Sequence, residues 1–119
     1  MKGRSAKTWL EDLKSAMDRI RRYTKDLTYD EFIEDEKTVD AVLRNLEVIG
    51  EAAKNVPEEL KDRFPDVEWR RMVGLRNIIT HEYFGVDMNI IWQAATRNVP
   101  ETEPLVADML ERLSHDAHC

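Results

Sequence analysis

Cysteine is almost absent: Cys119 is the only one in 119 residues. That excludes an intramolecular disulfide and a cysteine-built metal site, and it fits a reducing, cytoplasmic compartment. Glycine and proline are scarce, four of each, and neither Asn-Gly nor Asp-Gly occurs, which leaves too little turn material for a multi-stranded sheet. Long apolar runs are missing too. None approaches the ~18 residues of a bilayer span, and the chain turns acidic at Glu11 and Asp12 with no hydrophobic stretch before them, so neither membrane insertion nor secretion is expected. What is present is 42% apolar and 35% charged sequence, enough for a core under a polar surface. The length suits one domain over residues 1–119 that buries roughly two thirds of its surface.

Positive charge is in deficit overall, with a formal net charge of −6, which argues against indiscriminate nucleic-acid binding. The distribution is uneven. Residues 1–27 carry a net +4, 28–68 a net −8, 69–86 a net +2 and 87–119 a net −4. If the first and third blocks pack together, an acidic protein gains a local positive groove suited to a phosphodiester; otherwise the blocks are solvated helix faces.

Apolar periodicity predicts helices. Leu10, Leu13, Met17 and Ile20 recur every three or four residues, with Thr24 and Leu27 extending the stripe. Thr28 and Glu31 have capping-box spacing. A long helix is expected over about 35–55, with Val39, Leu43, Leu46, Ile49 and Ala53 inward; Gly50, costly in a helix unless a backbone comes close, marks a tight crossing. Pro57 and Pro65 bracket a short helix. Another begins near Val67 and is broken at Gly85; Asp87 caps the next, and Pro100 and Pro104 are expected to separate it from the last. The fold class is therefore all-α, an up-and-down bundle of four to five helices.

Polar residues gather in Arg76-Asn77-Ile78-Ile79-Thr80-His81-Glu82-Tyr83. With Arg76 at zero on a wheel of ~100° per residue, Tyr83 falls near −20°, Thr80 near 40°, Asn77 near 100° and His81 near 140°. Met72, Leu75, Ile78 and Ile79 take the opposite arc, so Arg76, Asn77, His81 and Tyr83 are expected to project away from the core. The set suits metal-free phosphodiester cleavage. An imidazole can take a proton from a ribose 2′-hydroxyl or give one to the leaving 5′-oxygen; a guanidinium can hold the phosphate; Asn77 can orient the ring or bind that phosphate. A 2′-hydroxyl nucleophile makes the substrate RNA. Arg76 and His81, ~140° apart, need a remedy to act on one atom: either the helix loosens near Thr80 and swings His81 round, or a second copy completes the site across a two-fold axis. Val73 and Gly74 on the polar arc favour the homodimer.

The motif Arg-x4-His-x-Tyr at Arg76–Tyr83, with Ile49-Gly50-Glu51-Ala52-Ala53, Pro65 to Trp69, and Phe84-Gly85-Val86-Asp87 running to Ile91-Trp92, resembles the HepT-like branch of the HEPN superfamily over most of the chain. The resemblance implies an all-helical dimer with metal-independent endoribonuclease activity and no cofactor, Arg76 and His81 as catalytic pair and Asn77 beside them. It also implies a toxin–antitoxin pairing, in which a minimal nucleotidyltransferase (MNT) antitoxin adds AMP to Tyr83 and silences the toxin. The rival reading is a non-catalytic helical module that binds such a nucleotidyltransferase through its polar arc; the intact Arg76 and His81 pair favours the enzyme.

Other features read as structure. Trp9, Trp69 and Trp92 suit core or interface anchors better than base-stacking platforms. The terminal His115-Asp116-Ala117-His118-Cys119 has ligand types but no expected supporting shell. Glu51, beside Gly50, is placed to pair with Arg76 or His81.

Overall fold

Four long helical rods and two short helices account for nearly all of residues 4–116, which the computed structural model describes. Residues 117–119 of the terminal His/Asp/Cys cluster lie outside that range. Helix α1 (Ala6–Thr24) starts where the Ser5 side chain accepts from the Thr8 N–H, and buries Leu10, Leu13, Met17, Ile20 and Thr24. Thr28 and Glu31 close the expected capping box of α2 (Tyr29–Glu34). Helix α3 (Glu36–Asn55) is the central rod, with Leu43, Leu46, Ile49, Gly50 and Ala53 all buried. It packs on α1 along one side and on α5 (Trp69–His81) along another. The short α4 (Glu58–Arg63) opens at Pro57 and ends before Pro65. Among the described residues there is no strand, and no helix is long and apolar enough to cross a membrane.

The last rod differs from expectation. Pro100 and Pro104 do not separate two helices: α6 (Met88–Gln93) runs through a π-helical segment, Ala94–Asn98, directly into α7 (Val99–Asp116). Pro100 has no N–H to give the turn before it. The backbone widens just upstream, where the Val99 N–H reaches the Ala94 carbonyl five residues back, and the rod continues past the missing donor. Pro104 lies on the exposed side of the rod.

One further expectation is corrected. Helix α5 stops at His81, four residues before Gly85; Glu82 leaves helical geometry and Tyr83–Gly85 form a 3₁₀ turn closed by the Gly85 N–H on the Glu82 carbonyl at 2.8 Å. The first basic block builds no groove with the third, the less favoured of the two readings: α1 packs on α3 and α7. Lys14 and Arg21 of α1 pair with Glu103 of α7, at 3.0 and 3.7 Å, so these cations serve the α1–α7 seam. The tryptophans are anchors. Trp69 is buried and gives its Nε1–H to the Phe64 carbonyl at 3.2 Å, and Trp92 packs on Phe32 with ring centroids 5.0 Å apart.

Candidate active site

The site begins with a missing side chain. A Cβ on Gly50 would lie 2.1 Å from the Arg76 Cβ and 2.8 Å from the Met72 carbonyl oxygen, so α3 and α5 cross where only glycine fits. This is the crossing expected from Gly50, and it decides where Arg76 goes. The aliphatic stem of Arg76 lies on the Gly50 backbone, and the side chain, 29% exposed, carries its guanidinium past the helix edge to Glu51.

Arg76 therefore does not project away from the core. Helix α5 is rolled about its axis so that Arg76, Met72 and the fully buried Ile79 sit toward α3, while Ile78, expected inward, is 43% exposed. The close approach at Gly50 makes this roll favourable, because a stem that would be solvated elsewhere packs on backbone. Leu75 and Ile78, turned aside by the roll, line an open groove of about 500 Å³ together with Met72, Ile49, Ile90 and Ala94.

Two partners fix the guanidinium. Arg76 Nη2 pairs with Glu51 Oε2 at 3.1 Å, and Nη1 donates to Asn77 Oδ1 at 3.1 Å. The Glu51 contact is one of the pairings expected from sequence. Asn77 serves Arg76 and not the His81 ring. A guanidinium has five N–H donors, so donors remain for two oxygens of a phosphate.

His81 is the last residue of α5; it is exposed and makes no hydrogen bond or ion pair among the described residues. The helix is regular up to it, and the Glu82 N–H still reaches the Ile78 carbonyl at 2.9 Å. The loosening that could swing His81 toward Arg76 starts only beyond it. Within one chain the two side chains stay ~140° apart around α5 and ~7.5 Å apart along its axis.

Tyr83 lies elsewhere than the wheel placed it. The chain has left the helical path, and the phenol donates to Asp40 Oδ1 at 3.2 Å. Asp40 is eleven residues, ~16 Å along α3, from Glu51, so the hydroxyl is not beside Arg76. Burial holds the phenol above its usual ionisation range, and the Asp40 and Glu47 carboxylates add to the rise. Asp40 is the site residue that sequence reasoning missed: its partner is 43 residues away, and an acidic residue on a helix face carries no signal of its own.

Comparison with known proteins gives this arrangement a family. The model of the family described as "Ribonuclease HepT-like" matches residues 13–109. A Thermococcus cleftensis protein named as a probable ribonuclease HepT is 40% identical over 97 residues, covering 82% of this chain and 88% of that one. A Methanocaldococcus jannaschii protein named as an RNase is 41% identical over 113 residues, with 92% and 93% covered. Another, from Caldanaerobacter subterraneus, is 32% identical over 109 residues, with 92% and 97% covered. No solved structure matches the chain. This all-α chain, with Arg76 and His81 on one helix, belongs to the HepT-like ribonuclease family of the HEPN superfamily and is a ribonuclease.

Proposed function

We propose that the chain is the toxin of a HEPN/MNT toxin–antitoxin pair: a cytoplasmic, metal-independent endoribonuclease whose site is completed by a second copy of itself. The observation that carries this reading is the regularity of α5 up to His81. Arg76 is locked toward α3 and His81 points to solvent on another side, so the two meet at one phosphate only if they come from different protomers. Ile78 and Ile90, both more than two fifths exposed, and the wholly exposed Phe84 present apolar surface on and beyond α5 that a second copy would cover.

At the seam, one imidazole removes the proton from a ribose 2′-hydroxyl, and the oxygen attacks phosphorus. The bond to the 5′-oxygen breaks as the same ring, now an imidazolium, gives that oxygen the proton, leaving a 2′,3′-cyclic phosphate and a 5′-hydroxyl. Arg76, presented edge-on by Glu51 and Asn77, neutralises the charge that grows on the phosphoryl oxygens. The test is cleavage of RNA in excess chelator by wild type and by His81→Ala. Wild type is expected to cut unimpaired and leave cyclic phosphate ends; cutting by the variant at the same rate removes His81 from the reaction.

Tyr83 is the residue that the nucleotidyltransferase partner modifies. A phosphodiester on its oxygen brings negative charge against Asp40 and Glu47, and like-charge repulsion expels the ring from α3. The freed adenylyl group then competes with RNA for the cations of the cleft. Incubation with the nucleotidyltransferase and ATP is expected to add AMP mass to wild type but not to Tyr83→Phe, as read by intact-mass spectrometry. Modification of the variant would place the acceptor elsewhere.

A further inference from the structure

Two grooves flank α5, and they differ in chemistry. The apolar one lies between Leu75 and Ile78 of α5 and Ile90 of α6. The other is a polar trough of about 960 Å³ between the end of α3, α4 and the outer side of α5. Lys54, Lys61, Arg70 and Arg71 line it, with Glu58, Asp62 and Glu68. In a chain of net charge −6, this wall carries a local excess of positive charge. Lys61 is held by Glu58 at 3.5 Å and Arg71 by Glu68 at 3.2 Å. Lys54 and Arg70 are exposed and have no ion pair among the described residues, so they are the cations open to a ligand.

The trough leads to the cleavage site. Asn77 lines it and holds the Arg76 guanidinium. Arg70 and Asn77 are seven residues apart on α5, on the same face and ~10 Å apart along the axis, a span that a nucleotide or two of extended strand covers. Between them lie Val73 and Gly74, also on the trough wall. Gly74 has nothing within 4 Å of where a Cβ would stand. No internal packing accounts for a glycine that costs an exposed helix ~1 kcal/mol relative to alanine; the bare backbone leaves room for a strand against the helix.

We propose that this trough is the binding track for the RNA strand flanking the scissile phosphate, with Lys54 and Arg70 each taking a backbone phosphate and Asn77 delivering the strand to Arg76. The proposal rests on the reading that Arg76 and His81 cleave RNA. Its contacts are to phosphate only, so it carries affinity without base preference. Trp69 faces the trough, but its ring is buried, so it contributes no stacking.

The test is binding of a fluorescein-labelled, 2′-O-methylated single strand of about a dozen nucleotides, followed by anisotropy across a salt series. The proteins are wild type, Lys54→Ala/Arg70→Ala, and Arg19→Ala/Arg22→Ala. The last pair removes the same charge from exposed positions on α1. The trough variant is expected to bind about tenfold more weakly at low salt, with the slope of log K against log salt reduced by about 1.4, about 0.7 for each lost phosphate contact to a single strand. The α1 variant is expected to stay near wild type. Equal weakening in both variants, or none in the trough variant, overturns the proposal. A 2′-O-methylated strand offers no nucleophile, so binding is read whether or not the protein cuts. Failure of the catalytic reading would show separately, as unmodified RNA left intact by a protein whose trough still binds.

Discussion

Replacing Gly50 with alanine is expected to lower stability by about 2 kcal/mol and to lower cleavage with it. The added methyl would stand 2.1 Å from the Arg76 Cβ and 2.8 Å from the Met72 carbonyl oxygen. The carbonyl is backbone and the Cβ is the rigid root of its side chain, so neither can swing aside; α3 and α5 must separate. Overpacking of this kind costs ~1–3 kcal/mol or more, against a propensity gain of at most ~1 kcal/mol for alanine in a helix. For a domain of this size each kcal/mol moves the melting midpoint by roughly 3–6 °C, so thermal unfolding should show a drop of roughly 6–12 °C. Gly74→Ala supplies the contrast. It is the same substitution in the partner helix, with nothing within 4 Å of the new methyl, and it should leave stability unchanged or raise it by up to ~1 kcal/mol. Equal effects at the two positions would show that the crossing is not set by contact at Gly50. Loss of activity in Gly50→Ala should accompany the loss of stability, because a wider crossing carries Arg76 away from Glu51.

That crossing was legible in the sequence because a helix-interior glycine has a known cost and few reasons to persist. The apolar stripes of α1 and α3 were legible because Leu10, Leu13, Met17 and Ile20, like Leu43, Leu46 and Ile49, recur at the helical period and are all buried. The roll of α5 was not legible. A wheel gives angles between residues, not the angle of the whole helix to its neighbour. That angle is set by the packing of Arg76 on Gly50, a contact between residues 26 positions apart. The rod spanning Pro100 was hidden because a proline removes one donor, which reads as a stop unless the turn before it can widen to an i→i+5 bond, as it does at Ala94–Asn98. The link from Tyr83 to Asp40 has no local signature at all. The candidate chemistry was thus visible as residue types on one helix, while their directions came only with the packing.

Those directions yield the sharpest test of the catalytic reading. Arg76→Ala and His81→Ala are each expected to lower cleavage by at least ~10³-fold, the scale of losing a preorganised charge or a proton shuttle at phosphorus. Their costs in stability should differ. His81 is exposed and makes no hydrogen bond or ion pair among the described residues, so its variant should melt as wild type does. Arg76→Ala removes a stem packed on Gly50 and a partly exposed ion pair with Glu51, a loss of about 1 kcal/mol after allowance for solvent screening. The unmixed variants are silent whether or not the site spans two chains; mixing them is not. If Arg76 of one protomer and His81 of its partner share a phosphate, half the dimers formed by unfolding and refolding an equal mixture are hybrids. Each hybrid has one intact site and one that lacks both groups, so the mixture should recover about a quarter of wild-type cleavage. If both groups act from one chain, every site in every hybrid lacks one of them, and mixing recovers nothing. Recovery near a quarter would mean that the direction Gly50 imposes on Arg76 is what commits the enzyme to working as a pair; no recovery would require α5 to unwind before His81 when RNA binds.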